Sequence, residues 1–303
     1  QAAKRGGSRL VGAIWSISGG LSPCSKWIGT MLDRCIRWKP VEIQPHDFRS
    51  RLKSDGTLML PQRVLDAVFF LYQPDDSGAF LGPCGTGIFI AVKSDKYENL
   101  LHYYAVTNHH IVHGSGASAI RLNTNDGGHR FIKLEPHDWH RMKHDDIAAV
   151  DITDKISGDD DDIVFFPSDW LLTSEFISEY QVGIGDDVVM LGLLARSEGK
   201  KRNQPVARFG SIARIATEQN KVRHDEGYYC EAHICDMRSR TGFSGSPVFV
   251  YRVFNKNLDF ILKTQDIQNH EAVFRTFFKV LGTHFGQFNE PARAKIAEAR
   301  PLQ

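Results

Sequence analysis

The 303-residue sequence carries almost no net charge, with 37 Lys and Arg against 36 Asp and Glu for a formal +1. No global field therefore marks it as a binder of nucleic acid or of an anionic membrane, and its partners have to be argued from local sites. Stable membrane spans are missing too. The uncharged, mildly apolar run Leu10–Ser25 falls short of the ~20 residues that a spanning helix needs, and Gly19, Gly20 and Pro23 break it. Cysteine is scarce: Cys24, Cys35, Cys84, Cys230 and Cys235 make an odd set without the C-x-x-C spacing of zinc sites. That excludes a disulfide scaffold and leaves at least one free thiol in a monomer. Cys230 and Cys235 fall in one apolar run, Tyr228–Met237, where an odd separation puts them on opposite faces of a strand. Reduced, buried thiols in a non-oxidising compartment are expected, which favours the cytoplasm. Neither a long helical periodicity nor an internal repeat is present.

What is there is an ordinary globular composition, 42% hydrophobic and 24% charged, enough to bury a core and unlike a disordered chain. At ~150 residues per domain the length accommodates two core-bearing units or one large one. Basic residues crowd the start: Lys4, Arg5, Arg9, Lys26, Arg34, Arg37 and Lys39 face the single acid Asp33. Residues 1–60 are expected to form an N-terminal extension, either a targeting segment or a poorly ordered or helical arm, so export or organelle targeting stays open. From about residue 64 the text changes to short apolar runs bounded by Gly, Asp, Asn and Pro. These are Ala67–Tyr72, Thr86–Val92, Leu101–Thr107, Arg130–Leu134, Ile147–Ile152, Ile163–Phe166, Asp187–Leu193, Ala207–Ile215, Tyr228–Met237, Pro247–Val253, Phe260–Lys263 and Phe277–His284. Many short strands with turn signals between them predict an all-β protein of antiparallel strands. The acidic stretch Asp159–Asp162 divides them and reads as a solvated connector. Residues 291–303 read as a C-terminal helix or tail.

Three segments have the residue types of nucleophilic catalysis. In Gly242-Phe243-Ser244-Gly245-Ser246-Pro247 a glycine-flanked turn can expose the Ser244 Oγ and aim the N–H groups of Gly242 and Ser244 at one point, an oxyanion hole. An ordinary Gly/Ser turn opening a strand is the competing reading. A serine needs a base, and Thr107-Asn108-His109-His110-Ile111 supplies one where a strand runs out. A carboxylate must then fix the imidazole tautomer, and Asp145-Asp146-Ile147-Ala148 places an acid at a strand start.

In this order, His then Asp then Ser, the segments resemble the motifs of the trypsin/chymotrypsin-like serine peptidases, over roughly residues 64–288. Gly85-Thr86-Gly87-Ile88-Phe89-Ile90 is similar to the strand before the histidine in bacterial members and glutamyl endopeptidases. The resemblance implies two antiparallel six-stranded β-barrels, about 61–157 and 163–288, in a peptidase domain of residues 61–290. It implies His110 as general base, Asp146 as its orienter, Ser244 as nucleophile, and Gly242 and Ser244 as oxyanion donors. His110 is preferred to His109 because it stands three after Thr107 and directly before Ile111; Asp146 is preferred to Asp145 because it directly precedes Ile147-Ala148. Phe243 stands where zymogen-activated members carry an Asp, so that activation switch is expected to be absent.

Val280-Leu281-Gly282-Thr283-His284-Phe285-Gly286 resembles the segment of glutamyl endopeptidases and viral Gln-cleaving relatives in which the His lines the primary pocket. With Gly286, and with Arg238 and Ser239 just before the serine motif, it suggests Glu, Gln or Asp before the scissile bond. A buried donor left unpaired would penalise apolar side chains. His284 as a core histidine, with Arg238 in solvent, is the alternative. Two other readings compete. Clustered histidines such as His110 and His113, or His137 and His140, suggest a metal-dependent hydrolase, but no H-E-x-x-H signature is present. A catalytically silent trypsin-like fold serving as a binding or regulatory module is the other. The sequence thus predicts a serine endopeptidase acting on protein or peptide, with no cofactor, no metal, no nucleic acid and an open oligomeric state.

Overall fold

The computed structural model describes residues 60–75, 77–97, 100–142, 145–194, 197–224, 226–238, 242–252 and 277–288, and the backbone of Val11–Trp15. The expected run Phe260–Lys263, the C-terminal helix 291–303 and Ser239 lie outside the described residues. The chain is built mostly of antiparallel strands, as expected. The first half is a curled sheet of β2 (Val68–Pro74), β3 (Phe80–Lys93), β4 (Leu101–Asn108), β5 (Ala119–Asn123), β6 (His129–Ile132), β7 (His140–Arg141) and β8 (Ile147–Asp151), in the order β6-β5-β2-β3-β4-β8-β7. The short β9 (Phe166–Pro167) joins β3 in parallel. The second half is a closed barrel in which β10 (Asp187–Gly192), β11 (Val206–Arg214), β14 (Ala232–Met237), β15 (Pro247–Arg252) and β16 (Phe277–Phe288) are joined by β1 (Val11–Trp15). A two-stranded ribbon, β12 (Val222–Arg223) and β13 (Tyr229–Cys230), accompanies it.

Two features differ from the expectation. Among the described residues the first unit pairs as an eight-stranded sheet, in place of the six strands expected of it. Its edge strands β6 and β7 are short and separated by the turn Pro136–Asp138, where Trp139 enters the core and donates its indole N–H to the Ser118 carbonyl. The second difference lies at the start. Val11–Trp15, within the segment expected to stand outside the domain, pairs antiparallel with both β14 and β16 and completes the barrel.

Strand after strand is apolar at both parities, and the packing explains it. In β3, Ile88 and Ile90 face a core shared with the second half, whereas Phe89 and Ala91 face the core of the first. Successive side chains point to opposite faces, so a strand covered on both sides reads as a continuous apolar run. The barrel strands repeat this: Val189 and Leu191 in β10, and Phe249 in β15, join the shared core, while Val188, Met190, Val248 and Val250 fill the barrel. The interface between the halves is therefore a core in its own right, and the site lies along it.

Three local readings are corrected. The run Tyr228–Met237 is not one strand: the exposed Glu231 splits it, so Cys230 belongs to the ribbon and Cys235 to the barrel. Both thiols are buried and free, and burial pushes Cys230 up to about 12. Ile163–Phe165 are buried but only Phe166 and Pro167 pair as a strand. The acidic connector is only half solvated. Asp159 and Asp160 are exposed, but Asp161 is buried in a two-oxygen contact with Arg130 at 2.6 Å, and Asp162 pairs with Arg63 and, at 2.6 Å, with Arg202. A buried carboxylate is retained only when paired, and here the basic partners come from three separate places, β6 (Arg130), the short helix Gln62–Leu65 (Arg63) and the loop before β11 (Arg202). Among the described residues no helix is long and apolar enough to cross a membrane.

Candidate active site

The antiparallel register of β4 with β8 pairs Asn108 with Ile147 and Thr107 with Ala148. The residue before Ile147 is thereby brought beside the residues after Asn108. Asp146 is fully buried there. Its Oδ1 accepts the backbone N–H of His110 at 2.9 Å, and its Oδ2 accepts the Asn108 side-chain amide at 2.9 Å and faces His110 Nδ1 at 2.6 Å. Burial alone would raise this carboxyl, but the hydrogen bonds and charge of His110, with the Asn108 amide, outweigh it and hold Asp146 below the ordinary aspartate range. With Nδ1 against a carboxylate, the neutral ring carries its proton on Nδ1 and leaves Nε2 as the basic atom. His109 has a different role: its ring stacks on His113 with centroids 4.4 Å apart, and its backbone N–H donates to the Asp146 carbonyl. His110 opens a π-helical turn, His110–Gly114, whose Ile111 and Val112 are buried.

The serine loop is fixed by its backbone and by Phe243, which is fully buried in the barrel core with the Arg208 guanidinium 5.6 Å from its ring. An aspartate here would need a partner cation, whereas the phenylalanine anchors the loop by burial. Gly242 and Gly245 take φ of 99° and 77°, conformations that favour glycine. The Phe243 carbonyl accepts from Ser246 N–H at 3.0 Å, inside the turn. Across a planar trans peptide the Ser244 N–H points the opposite way. Ser244 itself is half-buried.

Thr86, which no motif singled out as functional, is the joint between the two halves. Its N–H donates to the Ser244 carbonyl at 2.9 Å and its hydroxyl to the Gly242 carbonyl at 3.0 Å. That hydroxyl also accepts from Leu193 N–H at 3.1 Å, and the Thr86 carbonyl accepts from the Thr107 hydroxyl at 2.6 Å. Gly245 packs between Thr86, Thr107 and Ile111. One small set of side chains therefore ties the Ser244 loop to the turn that carries His110.

Of the expected pocket residues, His284 is buried behind this loop, where its N–H donates to the Ser246 carbonyl and its carbonyl accepts from Gly245, both at 2.8 Å. Neither of its ring nitrogens makes a well-aligned hydrogen bond among the described residues; burial pushes the ring down to about 4, partly offset by the backbone of Phe243 and Gly286 beside it. Gly286 is half-buried two residues on, and Arg238 is exposed beyond the end of β14 rather than buried near His284. His224 was missed altogether. It lies in the turn of the β12–β13 ribbon, is buried, and places Nε2 3.6 Å from Asp146 Oδ2. A lone His in a charged loop offers no signal in sequence. His110, Asp146 and His224 are close enough to share an ion. The oxygens of Asp146 instead receive N–H donors from His110 and Asn108, whose hydrogens would face any cation placed there, so the set does not fit a metal centre.

A family model described as the trypsin-like peptidase domain matches residues 85–252, more than half of the chain. The chain belongs to that family. Comparison with curated proteins gives no match. The matched span begins at the glycine beside Thr86 and contains His110, Asp146 and Ser244; β1, β2 and β16 fall outside it. As a trypsin-like peptidase domain the chain is of the serine-protease kind, with protein as its substrate class.

The buried histidines make a stability prediction. His233, like His284, is pushed down to about 4 by burial, against an unfolded value near ~6.5. Their contribution is complete above the unfolded value and is lost as the pH falls toward 4, because the unfolded chain binds protons first. The expected loss is about 3 kcal/mol for each ring across that window. Asp146, whose carboxyl is also held below its ordinary value, starts to lose its contribution only as the pH falls below the ordinary aspartate value of ~3.9. Urea unfolding followed from pH 8 to 4 should therefore weaken from about pH 6.5, and His233→Gln should flatten the slope. A flat profile down to pH 5 would contradict the burial of both rings.

Proposed function

We propose that this trypsin-like domain, spanning residues 61–290, is a serine endopeptidase working through an acyl-enzyme, with Ser244 as nucleophile, His110 as base and Asp146 as its orienter. The observation that carries the reading is the 2.6 Å contact of His110 Nδ1 with a fully buried, hydrogen-bonded Asp146. In this scheme Ser244 Oγ attacks the scissile carbonyl as His110 Nε2 takes its proton. The developing oxyanion rests on the N–H groups of Ser244 and Gly242. His110 then protonates the leaving amine, and water hydrolyses the acyl-enzyme by the same route.

His284 is the group proposed to read the residue before the scissile bond. A buried imidazole that has only poorly aligned backbone neighbours, Phe243 and Gly286, keeps hydrogen-bonding capacity to spare, and a Gln, Glu or Asp side chain reaching it would use that capacity where an apolar one would not. The test is a fluorophosphonate probe read by intact mass on the wild type and on Ser244→Ala, followed by peptides varied at the residue before the cleaved bond. One adduct on the wild type alone, with cleavage after Gln or Glu that His284→Ala abolishes, is the expected result. Folded protein without an adduct would turn the reading toward a silent binding module, and adducts on both proteins would move the nucleophile elsewhere.

A further inference from the structure

Asp146 has a neighbour that the triad does not use. His224 comes from the ribbon that accompanies the second barrel, whereas His110 and Asp146 belong to the first sheet. The Nδ1 of His224 accepts the N–H of Glu226 at 3.2 Å, so in the neutral ring the proton resides on Nε2, the atom directed at Asp146 Oδ2. The ring's orientation is fixed on every side. It stacks on Tyr228 with centroids 4.6 Å apart and lies 5.5 Å from Phe285, while the backbone N–H of His224 donates to the Tyr228 carbonyl at 2.8 Å and fixes the turn that carries the ring. At 3.6 Å the approach to Asp146 is an electrostatic contact, longer than a hydrogen bond.

We propose that His224 is a positioning residue for the triad: its Nε2–H, carried from the second half of the molecule, holds the outer edge of the Asp146 carboxylate and shares its charge with His110. The inference rests on the triad reading and deepens it. Asp146 is closed to solvent, so the donors it receives come from the protein, and each one removed leaves more of its charge to act on those that remain. Taking His224 away without admitting water should therefore make His110 more basic.

Other charges act on the same cluster. Glu226 lies on the ribbon beside His224 and is paired with Arg141 of the first sheet at 3.2 Å, and Arg141 also sits 6.0 Å from the Tyr228 ring. The Asp146 charge is felt by His109, Tyr228 and Cys230, Asp145 acts on Cys230, and His110 acts on His284. None of these residues is altered by the variants that follow, so their background is common to all of them.

The experiment compares His224→Phe, which keeps the ring's volume and stacking but removes the donor, with His224→Gln, which restores an N–H at about the same reach. Two readouts are taken on the full chain: the titration of His110 by imidazole NMR, and kcat and KM against pH on a cleaved peptide. His224→Phe should move the His110 midpoint upward by about half a pH unit or more and lower kcat about tenfold with KM little changed. His224→Gln should restore both to within about threefold. Equal thermal midpoints show that folding is not the cause. An unmoved His110 midpoint in His224→Phe, or a Gln variant as impaired as the Phe variant, overturns the proposal. The NMR titration does not need turnover, so a wild type that cleaves nothing yet shows the shift would sink the peptidase reading alone, while active enzyme without the shift would sink the positioning role alone.

Discussion

Asp146→Asn is expected to fold like the wild type and to lose kcat by about ten-thousandfold, the magnitude for a triad whose imidazole is held in the wrong tautomer. The argument lies in which end of the new amide goes where. Oδ1 of Asp146 accepts the backbone N–H of His110, a donor that cannot rotate away. The amide nitrogen is thereby excluded from that position and must occupy the place of Oδ2. There it meets the Asn108 amide and His110 Nδ1, both of which can adapt. Asn108 Oδ1 is buried without a partner among the described residues, so flipping that amide turns an acceptor toward the new donor. His110 adapts by accepting at Nδ1, which moves its proton to Nε2, the atom that must receive the proton of Ser244. Hydrogen bonding is thus satisfied while the base is lost. Matching thermal unfolding with a collapsed kcat is the expected pair of measurements; a variant within tenfold of wild-type turnover would mean that Asp146 does not set the tautomer.

The parts of this arrangement that could be read in the sequence are those made by short-range rules. Gly242, Gly245 and the flanking serine announce a tight turn, and the continuous apolar runs around Phe89, Val106 and Val189 announce strands covered on both faces. What could not be read depends on partners remote in the chain. β5 was missed because Arg121 interrupts its apolar text. That arginine is buried, donating to the Tyr72 hydroxyl and to the carbonyls of Gly199 and Lys200, more than 70 residues further on in the case of the carbonyls. Val11–Trp15 has the text of an ordinary short strand in a basic segment, and only the open place between β14 and β16 gives it a role. Asp161 looks solvated until Arg130 is placed against it. His224 becomes meaningful only when the two halves meet, since Asp146 belongs to the other one. Thr86 lay within a recognised motif, yet its function as the joint appears only once the Ser244 loop rests on it.

Gly245→Ala should be among the most damaging single substitutions that adds only a methyl group. A Cβ at this position would stand 2.0 Å from the Thr86 carbonyl oxygen, 2.4 Å from the Thr107 hydroxyl and 3.0 Å from Ile111 Cδ1. It would occupy the space of the 2.6 Å hydrogen bond between Thr107 and Thr86. Backbone lies on one side and a buried side chain on the other, so the loop must lift, and the Thr86 hydrogen bonds to Ser244 and Gly242 go with it. The φ of 77° adds the cost of a left-handed alanine, about 1–2 kcal/mol. Gly185→Ala separates the two effects, because its φ is 96° and its Cβ would meet nothing within 4 Å. Gly185→Ala should lower stability by about 1–2 kcal/mol and leave kcat/KM unchanged. Gly245→Ala should lower stability by about 3–5 kcal/mol and reduce kcat/KM at least about a hundredfold, since a shift of ~1 Å in a reacting group has that effect. Denaturant midpoints and initial rates on the two variants decide between a turn that merely prefers glycine and one through which the nucleophile is held against the base. If both variants behaved alike, the close seat of the Ser244 loop on Thr86 would not be what aligns Ser244 with His110.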